Sequence, residues 1–261
     1  MVSGVGVTSP QAVSLIGNQF FITTGQGNVY IYDGAVGLTL ISSKIAGTLK
    51  TDLSYSRYAY ANSLTFDTDY YLAVSTAASG ENDLVLMFDT FNMAWTKFSG
   101  MDVNAWTVGD DGAGRDKIFF GNYHGTSCKY PDGDNDNGAA IDGYWVSKQF
   151  DYPELGPTKD FKMLKVYVAE EPTAYNLTVT TMKDFATTGT DTSVSLNAGV
   201  GGTFGSAVYG TDVYGGETII TSRIEPNLDG TFYQVKFRNA NADEPWEVFG
   251  FQIYAEKQDR Y

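Results

Sequence analysis

Apolar residues along this chain come in short runs separated by Gly, Asp and Asn. Phe20-Phe21-Ile22-Thr23 and Val29-Tyr30-Ile31-Tyr32 flank the turn Gly25-Gln26-Gly27-Asn28, and Asp33-Gly34 turns the chain toward Leu38-Thr39-Leu40-Ile41. Asp-Gly between apolar runs is a strong hairpin signal, because Gly takes positive φ without cost. Asp69 to Val74, Leu84 to Asp89 and Ala94 to Phe98 read as a second set of strands. Asn104 to Val108, Lys117 to Phe120, His124 to Tyr130 and Ala140 to Phe150 read as a third. Residues 42–50 are the best helical candidate, with Ser43 as an N-cap.

These units are about 40–45 residues long, the period of a propeller blade. Leu86-Met87-Phe88-Asp89 followed by Trp95 has the form of a kelch-type blade. The Asp side chain can cap the turn backbone, and the Trp is expected to be buried between neighbouring blades. About three blades fit, whereas a closed propeller needs at least about four. The apolar strand Ala12 to Ile16 has no local partner before it, so a neighbouring chain is expected to complete the array.

The segment Asp151-Tyr152-Pro153-Glu154-Leu155-Gly156-Pro157 is the expected domain boundary, giving blade repeats over 1–152 and a second domain over 153–261. Lys162 to Ala169, Tyr175 to Met182, Glu217 to Ile224, Phe232 to Phe237 and Trp246 to Ala255 are its strands. The alternation of Leu164, Val166 and Val168 with Lys165 and Tyr167 is that of a half-buried strand. Five such strands suggest a β-sandwich or jelly roll. The fold class expected is therefore all-β.

Composition narrows the function. The chain has 31 acidic residues against 17 Lys and Arg, a formal net charge of −14. A surface this acidic does not suit nucleic-acid binding, which depends on cations neutralising phosphates. No run of about 18 apolar residues would span a membrane, and the opening residues lack the basic and apolar regions of a signal peptide. One cysteine excludes an intramolecular disulfide, and His124 with Cys128 is too small a set for a zinc site of Cys and His ligands.

Several residue groups invite a chemical reading. Asp132, Asp134 and Asp136 alternate and could offer a calcium ion hard oxygens. Counted from Asp132, positions six and twelve of an EF-hand loop would be Asn137 and Gly143, so that motif fails, and a solvated turn is the competing reading. His124 and Cys128, four apart in an expected strand, could form a nucleophile pair or be a strand-end His and a small buried Cys. No pair of carboxylates is singled out for glycoside hydrolysis. Phe204, Tyr209 and Tyr214 could stack on sugar rings or fold back over the core. Gly4-Val5-Gly6, Gly25-Gln26-Gly27 and Gly112-Ala113-Gly114 lack the third Gly and the helix of a phosphate loop. No catalytic residue and no cofactor is expected.

The order of segments 20–34, 41–45, 70–74, 84–95, 117–130 and 159–168, with the Asp-rich turn between the last two, resembles the structural β-propeller proteins of tailed-phage virions, of the tail nozzle or head-to-tail stabilisation type. The aromatic-Gly series 202–216 is similar to a repeat of phage tail proteins. The resemblance implies a non-enzymatic virion component. It would form a homo-oligomeric ring, a hexamer being one size considered, with other tail or neck proteins and around a channel through which DNA passes without specific binding. Acidic loops, among them Asp110, Asp111, Asp132, Asp134 and Asp136, are expected to line it. The alternative is a carbohydrate-binding receptor-binding protein or adhesin.

Overall fold

Strands built on the predicted turns dominate the computed structural model, which describes residues 5–35, 37–151, 156–197, 201–202, 213–214 and 219–258. The fold is all-β, made of several antiparallel sheets. Internal contacts divide it into two units, Met1–Asp132 and Gly133–Tyr261.

The first unit holds three consecutive meanders. Val13–Ile16 (β1), Gln19–Thr23 (β2), Val29–Tyr32 (β3) and Leu38–Leu40 (β4) pair in chain order. A 3-10 turn over Ser42–Ile45, the helix Ala46–Thr51 (α1) and a 3-10 segment Tyr55–Tyr60 lead to the next sheet. That sheet is Asn62–Phe66 (β5), Asp69–Val74 (β6), Leu84–Asp89 (β7) and Ala94–Ser99 (β8), again in chain order. Ala105–Asp110 (β9), Asp116–Gly121 (β10) and Ser127–Tyr130 (β11) form the third. The helix expected over 42–50 is split: Ser42–Ile45 is a 3-10 turn and only Ala46–Thr51 is α-helical, and Ser43 does not cap it, since Ile45 precedes α1 with no side-chain cap.

The two central strands of the middle sheet, β6 and β7, are buried on both faces, which explains why residues 70–74 and 84–88 read as continuous apolar runs rather than alternating ones. Tyr70, Leu72, Val74, Leu84, Leu86 and Phe88 point into one core with Phe21, Val29 and Ile41 of the first meander. Tyr71, Ala73 and Val85 point the other way, into a second core with Ile118 and Phe120 of the third. The rings of Phe21 and Tyr70 stack at 4.9 Å, and the hydroxyls of Thr23 and Tyr70 are hydrogen bonded at 2.9 Å. On the far side Tyr71 meets Trp106 and Tyr130 edge-on at 6.5 and 6.4 Å.

The Asp89 cap takes the expected form. Its Oδ1 accepts the N–H groups of Phe91 and Asn92 at 2.9 and 2.8 Å. Trp95 is half-buried rather than buried. Its ring lies 4.9 Å from Phe88, and Nε1 donates to the Ile41 carbonyl at 3.0 Å, so it bridges the first two sheets at their margin.

In the second unit Gly143–Val146 (β12), Lys159–Ala169 (β13), Asn176–Lys183 (β14) and Thr190–Ser195 (β15) are followed by Gly201–Gly202 (β16) and Val213–Tyr214 (β17), which pair in parallel. Ile219–Ile224 (β18), Leu228–Gly230 (β19), Tyr233–Asn239 (β20) and Val248–Lys257 (β21) complete it. One sheet runs β12-β20-β14-β15, and the other pairs β13 with β18, β19 and β21. Phe161, Leu164, Val166 and Val168 of β13 share one core with Leu177 and Val179 of β14 and Val235 and Phe237 of β20.

The expected boundary at 152/153 does not match this division. Residues 140–150 were expected to complete the third blade repeat, yet β12 pairs with β20, Trp145 opposite Phe237, and Phe150 bridges Tyr233. Those long-range backbone bonds place the strand in the second unit. Residues 152–155 lie outside the described residues.

Candidate assembly interface

Hairpin register fixes which side chains of the first meander share a face, because directly paired residues point the same way. Val13 pairs with Ile22 and Leu15 with Phe20. Ile22 pairs with Tyr30, Phe20 with Tyr32, Tyr30 with Leu40 and Tyr32 with Leu38. All eight positions on the face turned away from the core are therefore apolar or aromatic. Phe21, Thr23 and Val29, on the other face, are buried. Val13, Leu15, Phe20 and Leu40 are 37–50% exposed. Val5, Val7, Ile22, Tyr32 and Leu38 line a shallow cavity of about 270 Å³ on this face.

Two further features mark the face. Asp33 is the one charged residue among the first 43, in a chain that carries 31 acids and 17 Lys and Arg. Its carboxylate accepts the Ala35 N–H in the β3–β4 turn. Depletion of charge in an apolar patch is the compositional mark of an interface core. The third meander differs at the other end of the array: the positions turned away from its core are Ala105, Thr107, Gly109, Lys117, Phe119, Gly121, Ser127 and Lys129, mostly small or polar. The tight turn that starts the apolar face uses Gly17 at φ +58°, where a Cβ would be strained.

The sequence-level candidates fall elsewhere. Asp132, Asp134 and Asp136 are exposed. Asp132 pairs with Lys129 at 3.1 Å, and the backbone of Asp136 bridges Ala139. Among the described residues they do not form a group of three with ligand atoms in reach of one ion. His124 lies in the turn before β11, not in the strand, and Cys128 packs inward against the core of the third meander, so the two do not share a strand face as expected. Asp110 and Asp111 are occupied with their own turn, accepting the N–H groups of Gly112 and Ala113 at 2.6 and 2.8 Å. Hydrogen bonds from Ala113 and Arg115 hold the Asp111 carboxyl below the usual carboxylate range. Phe204 and Tyr209 lie outside the described residues, as does the Tyr214 side chain.

The second unit has an apolar cavity of about 310 Å³ lined by Phe150, Phe161, Phe251, Ile253 and Ala255. These residues present no polar side chain to orient a ligand.

No family model matches the chain, and no curated protein does. Among solved structures, an exo-β-1,3-galactanase from Phanerochaete chrysosporium, crystallised with galactose, is 10% identical with a TM-score of 0.27. The match covers 93% of this chain and 56% of the galactanase chain. A likeness at this level carries no argument about fold or function. Among the described residues no helix is long and apolar enough to cross a membrane.

Proposed function

We propose that this chain is a structural component of a homo-oligomeric assembly, of the phage tail or neck type that its segment order resembles. In this reading the three meanders are successive propeller-like blades and the second unit is a β-sandwich. The observation that carries it is the outer face of β1–β4: eight apolar or aromatic positions on a sheet whose surroundings are nearly free of charge. An array of three blades is open, and its first blade ends in a face of the kind that its inner blades bury.

The occupant of that face is a neighbouring copy of this chain. Copies of net charge −14 repel one another wherever their acidic surfaces meet. An interface centred on a region with one charged residue avoids that cost. The same net charge would let duplex DNA pass without sticking, since binding draws on cationic residues.

Carbohydrate binding has less support. Sugar recognition needs polar groups to pair with hydroxyls, and the apolar cavity lined by Phe150, Phe161, Phe251, Ile253 and Ala255 offers no polar side chain. Negative-stain imaging of the purified protein tests the proposal. Ring-shaped or otherwise closed oligomers are expected, and a field of single chains would overturn it.

A further inference from the structure

Three connections at one end of the second and third meanders bring the chain's only histidine to two carboxylates. Glu81 lies between β6 and β7, Asp102 between β8 and β9, and His124 in the β10–β11 turn. His124 Nε2 is 3.8 Å from Glu81 Oε2 and 3.8 Å from Asp102 Oδ2. All three ligand atoms lie within 4.8 Å of one another.

The positions are held from behind. Next to Glu81, Asn82 is fully buried; its Nδ2 donates to the Tyr60 carbonyl at 2.9 Å. The N–H of Val103, beside Asp102, donates to the Asn82 carbonyl at 2.8 Å and ties the two connections together. Asn122 Oδ1 accepts the N–H groups of His124 and Thr126 at 3.0 and 2.7 Å, fixing the turn.

The charge is not balanced by protein cations. Among the described residues neither Glu81 nor Asp102 forms an ion pair with Lys or Arg. Two carboxylates therefore face each other across one imidazole, and a divalent ion would neutralise both. A point equidistant from three atoms spaced 3.8, 3.8 and up to 4.8 Å lies no more than about 2.5 Å from each, within a few tenths of an ångström of metal–ligand distances.

We propose that Glu81, Asp102 and His124 bind a divalent ion of the zinc class. The imidazole selects it over calcium and magnesium, which prefer all-oxygen shells. The exposed side of His124 leaves room for water to complete the coordination. The ion would clamp connections from two meanders, so it would bind the folded chain in preference to the unfolded one.

Tag-free protein titrated with zinc chloride, by calorimetry and by thermal melting, tests the site, with magnesium and calcium chloride run in parallel. One-to-one zinc binding with a rise in Tm is expected, with no response to the other two salts at equal concentration. His124 is an exposed turn residue, so His124→Ala removes a ligand without opening the core; it and Asp102→Asn should weaken zinc binding at least about tenfold and abolish the Tm shift. Cys128→Ser and Asp132→Asn should leave both intact. Absence of zinc binding, binding that survives His124→Ala, an equal response to calcium, or loss in Cys128→Ser would each overturn the proposal.

Discussion

The indole of Trp95, on the last strand of the second meander, donates a 3.0 Å hydrogen bond to the backbone carbonyl of Ile41, just beyond the first. It is one of several polar contacts between the two sheets, with the Thr23–Tyr70 and Ser14–Ser63 hydroxyl pairs. Trp95→Phe keeps a ring against Phe88 but removes the bond, and should cost about 1 kcal/mol. Trp95→Ala also removes the packing and should cost about 3 kcal/mol. Urea unfolding monitored by circular dichroism checks both. Equal losses for the two variants would mean that the hydrogen bond carries the whole effect.

Tyr70 tests the buried contact of the same pair of sheets. Burial pushes its phenol well above the usual range, so it stays neutral at any practical pH. Tyr70→Phe deletes the hydroxyl and leaves Thr23 without that partner, and about 1–2 kcal/mol should be lost. Denaturant midpoints for Tyr70→Phe, Thr23→Val and the double variant should show non-additive effects, since the two groups share one bond.

Acid sensitivity follows from the turn carboxylates. Hydrogen bonds from Asn92, first from its backbone and then from its side chain, lower the Asp89 pKa. The Lys97 ammonium lowers that of Asp52. A group whose folded pKa is depressed adds stability that is present above its unfolded pKa and lost as pH falls through the folded value. Stability should therefore decline as pH drops below about 4. Asp89→Ala should flatten that decline while lowering the midpoint at pH 7; an unchanged pH profile would contradict the assignment.

The position of β12 predicts how the second unit can be cut. A fragment covering 133–261 retains the β12–β20 pairing and should unfold cooperatively. A fragment starting at 153 loses it and exposes the β20 edge. It should melt lower and aggregate, as uncovered strand edges do. Thermal melts of the two fragments side by side decide this, and equal melting temperatures would contradict it.

Hairpins were legible where turn chemistry was strong. Val29–Tyr32, Asp69–Val74 and Leu84–Asp89 are the expected strands, because Gly and Asp turns punctuate dense apolar runs. The strands β5 and β15 were not anticipated: Asn62-Ser63-Leu64-Thr65-Phe66 and Thr190-Asp191-Thr192-Ser193-Val194-Ser195 are too polar to stand out by hydrophobicity. The apolar face was hidden for the opposite reason. Phe20, Phe21 and Ile22 are all apolar, so period-2 alternation cannot say which side is covered. Glu81, Asp102 and His124 come from three separate connections, and no spacing rule joins residues brought together by sheet stacking alone.

The central claim is that the outer face of β1–β4 joins copies of this chain. Sedimentation equilibrium across a range of concentrations, on the wild type and on Leu15→Lys and Phe20→Lys, measures it most directly. Both side chains are half-exposed and turned away from the core, so the variants should keep the wild-type circular-dichroism spectrum. The account predicts an oligomeric mass for the wild type that falls to that of the 28.4 kDa chain in both variants. A wild type that is monomeric at every concentration, or variants that keep the oligomeric mass, would contradict it.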